Sequence, residues 1–236
     1  MSDERRIQLY QTDIHPCSYI DGEDAVTVFL DPKLRLNAEA TESMTELGFR
    51  RSGLHTYRPQ CPNCSACISV RVNVNAFQPN RTQRKMINRN QDLEIDHSPP
   101  ELTLENYRLY RRYINARHSD GDMFPPSAKQ FAEFLGVDTG FTRFWNFRRK
   151  GQLLGVAVTD HYPHSLSSVY SFFEPEEQRR SLGSYFVLQQ IQAAKKSGLE
   201  WFYLGYWVSE CRKMSYKSRF QPQEIFTGQC WQVAQR

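Results

Sequence analysis

The sequence predicts an α+β protein in two parts, and three observations carry that reading. AVTVFLDP (25–32) is β-branched and alternating, yet it is followed by a segment of helical composition. DHSPPELT (96–103) sets two prolines where regular structure has to stop, which puts a boundary between residues 1–96 and 97–236. Beyond that seam the order reads helix, helix, strand, strand, strand, helix, strand. With 236 residues, 39% hydrophobic and 13% aromatic, the chain has the material for two modest domains or one large one.

Taken in order, the strand at 25–32 ends at Asp31-Pro32. A short helix over ATESMTELGF closes near Gly48, HTYRP leads into a cysteine loop, and CISVRVNVNAF alternates as the next strand. RTQRKMINRNQDL is helical, and places Arg81, Arg84, Lys85 and Arg89 on one face. Past the seam, Thr103 caps a helix to about His118 whose buried stripe is Leu104, Tyr107, Tyr110 (or Arg111) and Ile114. Ser127 with Gln130 gives a capping-box signal for SAKQFAEFLG. FTRFWNFRR and LLGVAVTDHY flank Lys150-Gly151 as a hairpin, with SLSSVYSFF as a third strand. A helix follows from about Leu182 to Lys196, with Phe186, Leu188 (or Gln189), Ile191 and Ala194 inward, and EWFYLGYWV is a further strand.

Charge is unevenly spread. From Leu47 to Asn90 there is no Asp or Glu, while Arg50, Arg51, Arg58, Arg71, Arg81, Arg84, Lys85 and Arg89 supply eight positive charges. A second acid-free window, Cys211 to Gln223, holds Arg212, Lys213, Lys217 and Arg219. The two windows take 12 of the 30 bases, which leaves the remainder 18 bases against all 26 acids. Basic blocks on an acidic body read as a surface for a polyanion. No run of 18 apolar residues exists, so no membrane partner is expected, and MSDERRIQLY lacks the apolar core of a secretory signal. The expectation is a cytoplasmic monomer.

RPQCPNCSACISVRV places Cys61, Cys64 and Cys67 at intervals of three. A metal site, a redox device and a loop of reduced thiols all answer to that spacing. With Cys17 the count reaches four thiolates, the number a zinc ion or an iron–sulfur cluster takes.

The strand–turn–strand–strand order, followed by Arg-Arg-x-x-Gly opening a helix, resembles the acetyltransferase (GNAT) fold. That resemblance puts Arg179, Arg180, Gly183 and Ser184 where the fold receives a pyrophosphate at a helix N-terminus. KMSYK (213–217) with SRFQP, together with CSYIDGEDAVTVFLDP, GFRRSGLHTYRPQCPNCSACISVRV and GVAVTDHYPHSLSSVYSFFEP, resembles the bacterial aminoacyl-tRNA–protein transferases. Within them the chain is most similar to the aspartate/glutamate leucyltransferase branch, relatives of the eukaryotic arginyl-tRNA–protein transferases. The resemblance covers about Tyr10 to Pro222. It implies a GNAT-like C-terminal half and a cysteine-bearing N-terminal half. It also implies leucine transfer from leucyl-tRNA to proteins beginning with Asp or Glu, marking them for degradation through the N-degron pathway.

Such a transfer needs no cofactor, because the aminoacyl ester is already activated. The site has to orient an amine and stabilise an oxyanion. RNA phosphates call for the Arg81, Arg84, Lys85 and Arg89 stripe, with Arg179, Arg180, Gly183 and Ser184 as a second tRNA contact. The acceptor's carboxylate calls for fixed cations, for which Arg71, Lys213, Lys217 and Arg219 are the candidates, beside Tyr216 and Phe220. Tyr170 and Asp160, at the ends of neighbouring strands, are candidates to orient the amine or take its proton. Phe172, Phe173, Phe186, Trp201 and Tyr203 favour leucine over arginine as the transferred residue. The rivals are an acyl-CoA-dependent acetyltransferase and a metal-stapled RNA-binding module.

Overall fold

The computed structural model describes residues 7–234; the charged start MSDERR and the last two residues lie outside the described residues. The N-terminal part comprises β1 (Leu9–Gln11), β2 (His15–Pro16), β3 (Asp24–Ala25), β4 (Thr27–Leu30), α1 (Ala38–Glu46), β5 (Arg50–Ser52) and β6 (His55–Pro59). It is followed by β7 (Ile68–Asn73), α2 (Arg81–Arg89), β8 (Glu94–Ser98), α3 (Leu104–Arg117) and α4 (Ala128–Phe134). The chain continues through β9 (Thr142–Arg149), β10 (Gln152–His161), β11 (Ser165–Phe173), α5 (Leu182–Lys196), β12 (Trp201–Trp207), β13 (Gln223–Phe226) and β14 (Trp231–Val233).

An eight-stranded sheet, in the order β14-β13-β7-β12-β11-β10-β9-β8, carries the molecule, and β1-β4-β6-β5 form a smaller antiparallel sheet. Alternation along the strands serves two cores. On one face Val70, Val72, Phe147, Ala157, Phe202 and Leu204 meet Phe186, Leu188, Ile191 and Ala194 of α5, with Met86 and Ile87 of α2. On the other, Phe144, Val156, Val158 and Phe172 meet Tyr110, Ile114 and Phe131 of α3 and α4. Each fully buried Phe or Leu contributes on the order of 2 kcal/mol, so the helices are fixed mainly by these faces. Lys150 and Gly151, at φ 49° and 81°, make the expected tight hairpin turn.

The expected boundary at 96/97 falls inside β8, which pairs with β9, and β7 lies between β12 and β13. Residues on both sides of position 96 therefore build one sheet. The two prolines terminate β8 rather than a domain, because Pro ends a strand as readily as it marks a linker. Leu104, expected in the buried stripe of α3, stands 64% exposed, and Leu109 and Tyr113 take its place. The turn Arg212–Arg219 is a 3-10 helix, and the β13–β14 hairpin behind it was not foreseen.

Candidate active site

β11 and β12 run parallel, but they are bonded only through Ser165–Ser167 against Trp201–Tyr203. Beyond those three pairs β11 continues along β10 to Phe173, while β12 continues along β7 to Trp207. Register shifts at Val158/Thr159 and at Tyr203/Gly205 accompany the divergence, and Gly205 adopts φ +84°, which a side chain would strain. The sheet thus opens between two of its central strands. Each diverging strand carries a buried donor without a partner among the described residues, the Tyr170 hydroxyl on β11 and Trp207 Nε1 on β12. Tyr170 packs edge-on against Tyr113 and Phe134. Burial drives its hydroxyl well above the ordinary phenol range, with Tyr113 and Tyr110 adding to the effect. Tyr170 is therefore a proton-bearing donor and no base. Trp207 carried no signal in the sequence beyond being aromatic.

The Arg212–Arg219 turn packs against β12. Within it Tyr216 is partly buried, its hydroxyl pushed up to about 12 by desolvation, and it stands near enough to Tyr113 to raise that residue's hydroxyl too. Lys217 Nζ donates to the Tyr206 carbonyl at 2.6 Å. Burial first, and then the positive charge of Arg50, bring the Lys217 ammonium down to about 7 against the opposing effect of Cys211. The other acceptor candidates are placed differently. Arg71 is paired with Glu224 at 2.7 Å and stacked between Trp201 and Trp231, 3.6 and 4.4 Å from the ring centres, so its charge is taken. Lys213 reaches Asp120 at 2.7 Å on the surface. Arg219 is exposed, and its carbonyl accepts from Gln83 Nε2 at 3.0 Å. A 3-10 turn, with three residues per turn, puts Lys213 and Arg219 on one face and Lys217 on another.

Asp160 is also a correction. It is fully buried and accepts from Arg51 Nε and Nη2 at 2.8 and 2.6 Å, from Thr142 Oγ1 at 2.6 Å and from the Tyr162 hydroxyl at 3.2 Å. Four donors occupy its two oxygens, which leaves no edge for a substrate amine. Asp160 ties β5 to β10.

The basic stripe forms as expected. Arg81, Arg84, Lys85 and Arg89 are exposed on α2, whose first turn is fixed by an Asn80–Gln83 capping box. Arg89 donates to the Arg179 carbonyl, Asn90 Nδ2 to the Arg180 carbonyl at 2.9 Å, and the Tyr185 hydroxyl to the Asn90 carbonyl at 3.3 Å. Those bonds bring the stripe beside exposed Arg179 and beside the N-terminus of α5, where Ser181 offers no side-chain cap. Gly183 and Ser184 lie in that uncapped first turn, whose N–H groups are open to an anion. A β-carbon on Gly183 would come 3.1 Å from the Phe173 ring. Arg180 departs from expectation: it is held by Asp92 at 2.8 Å and Glu177 at 3.0 Å. Of the aromatics expected to favour leucine, Phe172 and Phe186 fill the cores and Trp201 stacks on Arg71. A groove of about 590 Å³, lined by Arg112, Glu174, Glu176 and Glu177 among others, is too acidic for an anion.

Cys17, Cys61, Cys64 and Cys67 line one small cavity with Ile20, Asp24 and Pro59. Burial and the other thiols push Cys67 up to about 12. The donors match a zinc or iron–sulfur site in kind and number. Among the described residues, however, no three His, Cys, Asp or Glu side chains converge closely enough to hold one ion.

Comparison with known proteins agrees over the whole length. Residues 15–85 match the N-terminal, and residues 105–227 the C-terminal, description of the arginine-tRNA-protein transferase family. The chain belongs to the aminoacyl-tRNA–protein transferases. It is 49% identical over 231 residues to the aspartate/glutamate leucyltransferase of Pseudomonas paraeruginosa, covering 98% of each chain. To the aspartate/glutamate leucyltransferase of Pseudomonas fluorescens it is 48% identical over 233 residues, covering 99% of each. Among solved structures, FemX aligns over 93% of this chain and 86% of its own, with a TM-score of 0.51 at 10% identity, a likeness of fold alone. The fold is GNAT-like, and the protein is an aminoacyltransferase.

Proposed function

We propose that this chain transfers leucine from leucyl-tRNA to the N-terminal Asp or Glu of acceptor proteins, at the opening between β11 and β12. The observation that carries this reading is the juxtaposition of two anion-seeking regions with that opening. The α2 stripe with Arg179 and the uncapped start of α5 suit tRNA phosphates, and Lys217, in the turn packed on β12 and bonded to the Tyr206 carbonyl, suits the acceptor.

The acceptor's α-amine, with an ordinary value near 8, is partly neutral at physiological pH. It attacks the ester carbonyl, so a C–N bond forms and the bond to the ribose oxygen breaks. The amine's proton ends on that oxygen as the 3′ or 2′ hydroxyl. Tyr170, held as a phenol, donates to the oxyanion of the tetrahedral intermediate. No step requires a base with a shared carboxylate, which accords with Asp160 being engaged by Arg51. Loss of one oxyanion donor in Tyr170→Phe lowers kcat by about 100-fold with little change in KM.

In the same reading a zinc ion or an iron–sulfur cluster would have to draw the four cysteines of that cavity closer together, as a clamp on the N-terminal part outside the chemistry. Metal analysis of purified protein tests it: about one zinc or one cluster per chain supports the clamp, and far less, with full stability in chelator, removes it.

Labelled leucine appearing on an Asp-starting peptide from charged tRNA is the expected result. Preferential transfer of arginine, or acetylation from acetyl-CoA with no tRNA dependence, would overturn the reading.

A further inference from the structure

Arg50 is 6% exposed, yet none of its bonds reaches an acid. It donates to the Phe49 carbonyl at 2.9 Å, to the Thr45 carbonyl at 3.4 Å and to Ser69 Oγ, and its Nε has no partner among the described residues. The rings of Tyr203 and Tyr206 flank the guanidinium, 5.2 and 5.7 Å from their centres. Nearby Lys217 is half-buried, and among the described residues its Nζ bonds only to the Tyr206 carbonyl. Other buried arginines behave differently: Arg51 has Asp160 and Arg71 has Glu224. A buried and a half-buried cation side by side, without a counter-ion among the described residues, are costly to maintain, and a carboxylate bound to both would relieve them.

We propose that Arg50 and Lys217 form the subsite that reads the side-chain carboxylate of the acceptor's first residue. The proposal rests on the leucyltransferase reading and deepens it, by assigning the acidic specificity to one pair of cations and adding Arg50 as a binding residue. A carboxylate suits this place better than an RNA phosphate. The exposed cations of α2 and Arg179 lie elsewhere, whereas the Tyr203 and Tyr206 rings flank Arg50 and Lys217 bonds the Tyr206 carbonyl on β12, the strand that borders the opening. A first-residue carboxylate lies one or two methylenes from the α-carbon whose amine attacks, so the reader of that group has to stand beside the reacting centre. Charge state gives the site a signature. Lys217 faces Arg50 from β5 and Cys211 from the segment before its own turn, and its ordinary charge is already half lost at about pH 7. An incoming carboxylate restores it, so binding of an acidic acceptor takes up a proton above that pH.

The test uses the full-length protein with leucyl-tRNA and two peptides that differ only in Asp or Asn at the first position. Lys217→Met is expected to reduce the Asp-over-Asn ratio of kcat/KM by about 10- to 100-fold, the loss of one charged hydrogen bond. The fall should lie in KM, with affinity for leucyl-tRNA retained. Lys217→Arg, charged at every pH, should restore the ratio and abolish the rise in Asp-peptide KM that the wild type shows above pH 7. A ratio unaltered in Lys217→Met overturns the proposal. Weakened tRNA binding with the ratio intact also overturns it, by assigning the pair to RNA. Failure of the wild type to leucylate either peptide would instead sink the leucyltransferase reading itself.

Discussion

Arg50 and Arg51 are consecutive on β5, both are buried, and their surroundings are opposite. Arg51 forms a two-point pair with Asp160, reinforced by Thr142 and Tyr162, so its charge is neutralised and every donor is directed. Arg50 has carbonyls, a hydroxyl and two aromatic rings around it, with Lys217 as its charged neighbour. Alternation along a strand sends the two side chains to different faces, so one residue can lock the small sheet to β10 while the next is kept for a ligand. The lesson is that a buried charge says little by its presence. What distinguishes structure from function is whether the protein supplies the counter-charge.

Breaking the pair on each side should therefore give unlike results. Asp160→Asn leaves Arg51 buried and uncompensated and is expected to cost about 3–5 kcal/mol in denaturant unfolding. Lys217→Met removes a cation that has no counter-ion and should leave stability unchanged or raised. Equal losses in the two variants would erase the distinction.

How much of this was legible beforehand follows the same line. Periodicity placed the β9–β10 hairpin, β11, α5 and β12 because their side chains alternate between two local faces. The α2 stripe was legible because a helix face is a local property. Pairing across 109 residues, as between Arg51 and Asp160, has no local signature, so Asp160 read as a candidate catalyst. Arg71 misled for the same reason, since Glu224 and Trp231 come from a hairpin the sequence did not announce. Arg50 was counted among the acid-free charges without being singled out, because nothing in GFRRSG tells one arginine from the next.

The exposed basic surface offers a second contrast with the pair of cations, through salt. Replacing Arg81, Arg84 and Lys85 together by Ala should flatten the logarithmic salt dependence of tRNA binding by about two to three units. Lys217→Met should leave that slope alone. A slope unchanged in the triple variant would move the RNA contact to another face.

Stability against pH sharpens the comparison further. Lys217 in the folded chain lies near 7, below its unfolded value, so between about 7 and the ordinary lysine range the unfolded chain holds a proton that the folded chain lacks. Wild type should therefore gain stability relative to Lys217→Met as pH rises through that window, and have none of that gain below it. Parallel curves for the two proteins would count against a depressed Lys217. The smallest effect belongs to the surface pair: Lys213→Ala should change stability by less than about 0.5 kcal/mol and leave the Asp-peptide KM unaltered, because exposed ion pairs contribute little. A large rise in KM there would return Lys213 to the acceptor site.

The most direct test is an NMR titration of the Lys217 ammonium in the full-length protein, alone and with an Asp-starting or an Asn-starting peptide. Titration near 7 in the free protein, moving up by more than one unit with the Asp peptide and staying in place with the Asn peptide, is the predicted result. An ordinary lysine value in the free protein, or an equal response to both peptides, would contradict the claim that this pair of cations waits for a carboxylate.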